Sequence, residues 1–206
     1  MSTHNVRDDQ LPKGAGTGPA DVAIVPSASV IVLRGEPFEV LLQRRAERAS
    51  FVPGNWVFPG GIVEKEDAGA DELATARNCA ARELLEEARV RVEPASLVWT
   101  ARWITPEGVP KRFDTYFFLA ELPPGQDPQP DRIEGIELRW ATPQQALDGH
   151  RRGELPMVFP TLRNLEALLP WTRIPDLLAA RRSATIPTTR PVIRTVDGKK
   201  QVVLPE

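Results

Sequence analysis

The chain has a single cysteine, Cys79, in 206 residues. A disulfide within the chain is therefore excluded, and the composition is compatible with a reducing compartment. No apolar run approaches the roughly 18–20 residues of a membrane-spanning helix. The opening stretch, MSTHNVRDDQLPKGAGTGPAD, lacks the apolar centre of a secretion signal, so residues 1–20 are expected to form a flexible arm. Charge of either sign is not in excess. The net value of −2 gives no ground for nucleic acid or an anionic membrane as partner. No internal repeat is present, and the 21 prolines are scattered among turns. What remains is an ordinary balance of 41% hydrophobic and 26% charged residues, enough for one domain with a buried core and appendages.

Patterned segments alternate irregularly between strand and helix. DVAIVPSASVIVLR (21–34) and PFEVLLQRR (37–45) are β-branched and apolar, and read as adjacent strands joined at Gly35. Residues 49–63 read as a loop with a short extended piece at 56–58, and a helix is predicted from about residue 70 to 88. Strands follow at 95–105, 112–122 and 135–141. Thr142, Pro143 and Gln145 supply the N-cap, first helical residue and capping box of a helix beginning at 142–149. Leu162, Leu165, Leu168 and Leu169 repeat at helical spacing within 160–170, and Asp197-Gly198 predicts a hairpin over 191–205. Several consecutive strands mean an α+β fold with a mixed sheet, not strict alternation.

One stretch, AARELLEEARV (80–90), departs from the usual interleaving of charge. Arg82, Glu83, Glu86 and Glu87 fall within roughly a 140° arc of the predicted helix. Ala81, Leu84, Leu85 and Ala88 lie on the other side. Glutamates three and four apart repel by a few tenths of a kcal/mol per pair unless a cation intervenes. Two readings fit: a solvated acidic face tied by Arg82–Glu86 and Glu86–Arg89 pairs, or carboxylates converging on a hard divalent ion. Mg²⁺ takes carboxylate, water and phosphate oxygens.

The preceding segment, WVFPGGIVEKED, favours the second. Pro59-Gly60-Gly61 follows a short extended piece, and glycines at such a bend let backbone approach a ligand or metal closely; Glu64 and Asp67 come next. Together the two segments resemble the Nudix box, G-x5-E-x7-R-E-U-x-E-E-x-G-U, where U is a bulky aliphatic residue. Gly61 matches the first glycine, and Arg82, Glu83, Leu84, Glu86, Glu87 and Val90 match the second half. Three positions depart from the pattern. Asp67 stands where the box has its first glutamate. Fourteen residues separate Asp67 from Arg82 where the box has seven, an insertion that either a longer helix or a bulged loop would absorb. Arg89 replaces the glycine that ends the box helix, a position where positive φ is often needed and a non-glycine residue costs about 1 kcal/mol.

The resemblance implies an α/β/α sandwich with a mixed sheet over 21–182, followed by a C-terminal extension, 183–206, carrying the hairpin. It also implies hydrolysis of a nucleoside diphosphate derivative with Mg²⁺ or Mn²⁺. Glu83, Glu86 and Glu87 would be the metal ligands or catalytic carboxylates, assisted by the Gly60 carbonyl, with either Glu86 or Glu87 as base. Arg82 would orient a carboxylate, Glu64 or Glu83. Glu134, and after it Glu137, are candidates for a further acid from a later loop. The flanks LLQRRAERASFVPGNWVFPGG, KRFDTYFFLAEL and ELRWATPQQAL resemble the branch containing the peroxisomal acyl-CoA diphosphatases and their bacterial relatives. That likeness implies CoA or acyl-CoA as substrate, with Arg44, Arg45 and Arg112 on its phosphates and Trp56 or Trp103 under its adenine. ADP-ribose, a nucleotide sugar or a dinucleotide is the alternative, and a nucleotide-sensing module without catalysis the third possibility. No S-K-L type ending is present, so a cytoplasmic location is expected. The hairpin would serve as a lid or in a homodimer.

Overall fold

The computed structural model describes residues 22–49, 51–196 and 198–204. The expected N-terminal arm and Asp197 of the hairpin turn lie outside them. Among the described residues the strands are β1 (Ile24–Arg34), β2 (Glu39–Arg45), β3 (Trp56–Val57), β4 (Gly60–Ile62), β5 (Val98–Ile104), β6 (Arg112–Glu121), β7 (Gly135–Ala141), β8 (Thr188–Thr189), β9 (Val192–Val196) and β10 (Lys199–Val203). The helices are α1 (Glu72–Ala88), α2 (Pro143–Arg151), α3 (Phe159–Leu168) and α4 (Ile174–Ser183).

The main sheet runs β3-β2-β1-β6-β5-β8, with β4 added to the first half of β1 and β7 to β2. It is mixed: β1 lies parallel to β6 over ten residue pairs, while β2, β4 and β7 pair antiparallel. β1 is buried on both faces from Ser27 to Leu33, which accounts for its unbroken apolar run. Alternate residues of β1 divide between two cores. Val30 and Val32 pack with Leu41 of β2 and with Ala76, Ala80, Leu84 and Ala88 of α1. Ile31 and Leu33 pack with Leu147 of α2, Leu165 of α3 and Leu177 of α4. This is the expected α/β/α sandwich. No helix among the described residues is long and apolar enough to cross a membrane.

Capping chemistry sets the helix ends. The Asp71 carboxylate accepts from Ala74 N–H at 2.7 Å, and Thr142 and Gln145 form the expected reciprocal cap on α2. β4, α4 and β8 are elements the sequence pattern did not indicate. β4 is three residues of Pro-Gly-Gly context ordered by pairing Gly60 and Gly61 with Ser29 and Ala28. α4 presents only Ile174, Leu177 and Leu178 to the core, too short a stripe to register as periodic. The C-terminal hairpin β9–β10 forms as expected, and it packs onto its own chain: Val202 is buried in the α2–α3–α4 core with Ile193 against it.

Candidate active site

Arg82 sits at the centre of the carboxylates. Its Nε donates to Asp67 Oδ1 and its Nη2 to Asp67 Oδ2, both at 2.9 Å, a two-pronged fork on a carboxylate that is 2% exposed. Nη2 also reaches the Ile62 carbonyl at 3.0 Å, and Nη1 donates to Glu83 Oε1 and Glu86 Oε2, each at 2.9 Å. One guanidinium therefore joins three acids from two segments. Burial alone would raise the Asp67 pKa, but the Arg82 fork and the Glu64 N–H outweigh it and hold the carboxyl below its ordinary value. The shortened side chain at position 67 is thus accommodated, and the residue that Arg82 orients is Asp67 as well as Glu83. Glu64 contributes through its backbone N–H, 2.8 Å from Asp67 Oδ2, while its side chain is exposed.

The insertion in the box becomes a climb and a return. From Asp67 the chain runs back along α1: the Asp67 carbonyl accepts from Asn78, Gly69 N–H donates to Thr75 Oγ1, and Asp71 caps the helix start. Ten helical residues, Glu72 to Ala81, then lead to Arg82. They rise about 15 Å, a span that the residues from 67 to 71 can cover in nearly extended form. Extra helical turns and an extended approach cancel, so Asp67 and Arg82 still meet.

Glu87 is held differently. It is 3% exposed, and its Oε2 accepts from Gly60 N–H at 2.7 Å. Its other oxygen, Oε1, is buried without a hydrogen-bond partner. Burial pushes the Glu87 pKa up to about 8, against the opposing pull of the Gly60 N–H. Burial also raises Glu83, with Arg82 opposing and the charges of Glu86 and Glu134 adding to it. Glu86 is exposed on the rim. The two glycines of the bend are constrained differently, Gly60 by backbone and Gly61 by the Glu83 side chain. A β-carbon on Gly60 would strike the Ala28 carbonyl and Ser29, and one on Gly61 would occupy the place of the Glu83 carboxylate. Gly60, expected to offer its carbonyl, engages Glu87 through its N–H. α1 ends in the left-handed conformation that the box glycine would supply: Arg89 has φ 59° and ψ 24°.

The remaining sequence candidates separate by face. Glu134 lies on a loop that caps the C-terminal end of α1, where Gln129 and Asp131 N–H groups donate to the Ala88 and Glu87 carbonyls. The Asp131 carboxylate in turn accepts from Ile133, Glu134 and Gly135 N–H, which orders the loop. Arg45 is near enough for its charge to act on Glu87, with its Nε fixed on the Phe51 carbonyl at 3.1 Å. Arg44, one residue earlier, points to the other face of β2 and pairs with Glu47 at 3.0 Å. Glu137 stands opposite Arg44 in the β2–β7 ladder and shares that far face. Trp56 is 3% exposed within the core, its ring 5.4 Å from the Arg139 guanidinium, and Trp103 packs edge-on to Phe159. Arg112 donates to the Thr105 carbonyl and lines a cavity of about 440 Å³ with Arg190 and the start of β9.

Sequence reasoning missed Gln43. This residue is fully buried, its amide makes no hydrogen bond of ordinary geometry, and it faces Glu87 closely enough for a longer amide–carboxylate contact to oppose the rise of the Glu87 pKa. The signal was available: in EVLLQRR a polar residue falls two after Leu41, on the face turned toward α1. Cys79 is not a candidate nucleophile. Burial and then the neighbouring acids push its thiol up to about 12, and its Sγ rests against the Ile62 carbonyl.

The acids are of the chemical type that a hard divalent cation takes. The donors are all carboxylate oxygens, and one of them, Glu87 Oε1, is buried without a hydrogen bond of ordinary geometry. Among the described residues no group of three or more acidic, His or Cys side chains converges closely enough to hold a metal ion as it stands. Arg82 draws Glu83 and Glu86 toward itself, which leaves an open arrangement suited to an ion that keeps several waters.

Comparison with known proteins agrees with this geometry. A family model described as the NUDIX domain matches residues 24–159. The chain is 28% identical over 180 residues to a Caenorhabditis elegans protein carrying the name nudix hydrolase 7, covering 69% of this chain and 59% of that one. It is 23% identical over 238 residues to human acyl-coenzyme A diphosphatase NUDT19, covering 69% and 63%. It thus spans about six-tenths of the length of these curated relatives. The crystal structure of a NUDIX hydrolase from Alicyclobacillus acidocaldarius matches 78% of this chain and 97% of its own, with a TM-score of 0.70 at 25% identity. The matched segment contains the glycine bend, the Asp67–Arg82 fork and the three glutamates, and the chain belongs to the Nudix family.

Proposed function

We propose that the chain hydrolyses the diphosphate linkage of a nucleoside diphosphate derivative with Mg²⁺ or Mn²⁺, and that CoA or acyl-CoA is the substrate class. The observation that carries the reading is Glu87: a buried carboxylate fixed at one oxygen by Gly60 N–H, with its second oxygen unbonded beside Glu83. A structural carboxylate at that depth would be expected to have both oxygens satisfied. Glu83, Glu86 and Glu87 would hold the metal, which when bound neutralises diphosphate charge and activates water. Arg82 keeps Glu83 and Glu86 oriented and offsets their repulsion. Glu86, exposed and bonded to Arg82, would accept the proton that water gives up, with Glu87 the other candidate. Glu134, on its ordered loop, would be a second acceptor at the same rim. The choice of CoA rests on the flanking strands and on the likeness to an acyl-coenzyme A diphosphatase.

A mass-spectrometric hydrolysis panel with Mg²⁺ tests the reading: CoA, two acyl-CoAs, ADP-ribose, NADH, a nucleotide sugar and the dNTPs, with Glu86→Gln and Glu87→Gln as controls. Release of 3′,5′-ADP from CoA substrates alone is the expected result. AMP from ADP-ribose or NADH would keep the chemistry and reject the substrate class. Silence with both Mg²⁺ and Mn²⁺ would reject catalysis in favour of a nucleotide-sensing role.

A further inference from the structure

Away from the three glutamates, toward the N-terminal end of α1, a cavity of about 370 Å³ opens among α1, the turn at Pro94–Ser96, the start of β5 and the end of α4. Leu73, Trp99 and Ile186 give it apolar walls, and three arginines from two helices line it: Arg77, Arg181 and Arg182. Its volume is that of a pocket for a small organic molecule.

The charges are arranged for an anion. None of the three arginines has a carboxylate within ion-pair distance among the described residues, whereas Arg102 nearby is forked on Asp114 and reaches Glu72. Arg77 is held by one bond, Nε to the Leu97 carbonyl at 3.3 Å, which fixes the guanidinium at the wall. The Nε of Arg181 is buried with no acceptor at all. A buried donor on a charged group left unbonded is costly, and three like charges on one wall repel, so an anion arriving there would relieve both terms. Guanidinium groups match the oxygens of a phosphate in pairs, and Trp99 with Leu73 offers an apolar surface for an organic body. Arg77 precedes Glu83 by about 9 Å and Glu87 by about 15 Å of helix rise, so the cavity is separate from the carboxylate cluster.

We propose that this cavity is a second binding site, for an organic phosphate, distinct from the site where the diphosphate linkage would be cleaved. It stands whether or not the proposed hydrolysis is found. Calorimetric titration of the full chain with phenyl phosphate and with inorganic phosphate, in chelator so that no divalent metal contributes, is the test. Saturable binding of phenyl phosphate is expected, tighter than inorganic phosphate, weakened at least tenfold in Arg181→Gln/Arg182→Gln and unchanged in Glu87→Gln. Arg182→Glu, at an exposed position, gives the same test should the double variant fold poorly. No saturable binding, or binding that the arginine variants leave intact, overturns the site. Loss in Glu87→Gln assigns the anion to the carboxylate cluster and also overturns it. Phenyl phosphate binding no tighter than inorganic phosphate overturns the ligand class.

Discussion

Two regions beside α1 gather charge of opposite sign, acids along its C-terminal half and arginines in the cavity at Arg77, and the chain compensates only the first. At the C-terminal half, Glu83 and Glu86 share Arg82 with Asp67, so most of the acidic repulsion is answered by a single guanidinium from the same helix. Nearer the N-terminal end, Arg77 lines a cavity with Arg181 and Arg182 of α4, and none of the three is ion-paired to a carboxylate among the described residues. Within the acidic end the same contrast recurs on a smaller scale. Asp67 is buried and fully engaged by Arg82 and Glu64 N–H, whereas Glu87 is buried and half engaged. Engaged charges hold the fold together, and the unengaged ones are where the two proposed ligands would be bound.

The largest effect expected from breaking this contrast is at Glu87. Glu87→Gln should lower turnover by orders of magnitude in the hydrolysis panel, since it removes a metal-directed oxygen charge. Without metal the same change should stabilise the protein at pH 8. The sign follows from the raised pKa: native Glu87 keeps its proton up to about pH 8 while the unfolded chain releases it near the reference value of 4.5. Its contribution to stability is therefore complete below about pH 4.5 and is lost as pH rises through 8. Thermal unfolding of wild type in chelator should show that decline between pH 5 and 8, and Glu87→Gln should flatten it. Equal pH slopes for the two proteins would show that Glu87 is ionised in the folded state and satisfied by some other group.

The opposite sign is expected at Asp67, the engaged partner in the comparison. Asp67→Asn breaks a charge-assisted fork on a buried group, though Arg82 retains Glu83 and Glu86. A loss of about 1–3 kcal/mol is expected, roughly 2–4 °C of melting temperature per kcal/mol for a chain of this size. Because the folded pKa of Asp67 is lowered, its stabilising contribution is present above its ordinary pKa and disappears in acid. A variant as stable as wild type would mean that Arg82 is held by Glu83 and Glu86 alone.

How much of this was legible in the sequence differs between the two halves of the site. RELLEEARV placed Arg82, Glu83, Glu86 and Glu87 on one helical face because spacing within a helix is fixed by its geometry. The partner of Arg82 was less certain. Asp67 lies fifteen positions before it, and only the chain path along α1 shows that the insertion folds back on itself. Strand alternation along β2 separates Arg44 from Arg45 and sets Gln43 facing α1, whereas charge alone groups the two arginines and passes over the glutamine. The arginine cavity was beyond any local pattern, since Arg77 and Arg181 are over a hundred residues apart and α4 was not foreseen. β4 was hidden for a similar reason: a Pro-Gly-Gly segment has no strand propensity of its own and is ordered by its neighbour β1.

Gln43 offers a gentler way to sharpen the contrast between engaged and unengaged groups. Its amide is buried with both polar atoms unbonded, so Gln43→Leu should leave stability unchanged or raise it by up to about 1 kcal/mol. If the amide helps to orient Glu87, turnover should fall about tenfold with KM little changed. Unaltered kcat and KM would make Gln43 a spectator of the carboxylates.

The smallest effect concerns Arg89, a cation at the acidic end that the family pattern does not ask for. Its left-handed backbone costs about 1–2 kcal/mol for a residue with a β-carbon. Replacement by glycine relieves that strain but adds freedom to the unfolded chain, worth about 0.4–1 kcal/mol, and removes a favourable charge from a helix C-terminus, worth about 0.3–1 kcal/mol. The three terms nearly cancel, so Arg89→Gly should change stability by no more than about 1 kcal/mol in either direction, with turnover unaffected. Because Arg89 is exposed and has no ion-pair partner within reach among the described residues, its charge is not expected to matter to the carboxylates. Melting curves with and without Mg²⁺ decide this. A larger Mg²⁺-induced stabilisation in the variant than in wild type would mean that Arg89 repels the metal, and the C-terminal end of α1 would then carry two compensating cations where the structure shows Arg82 alone.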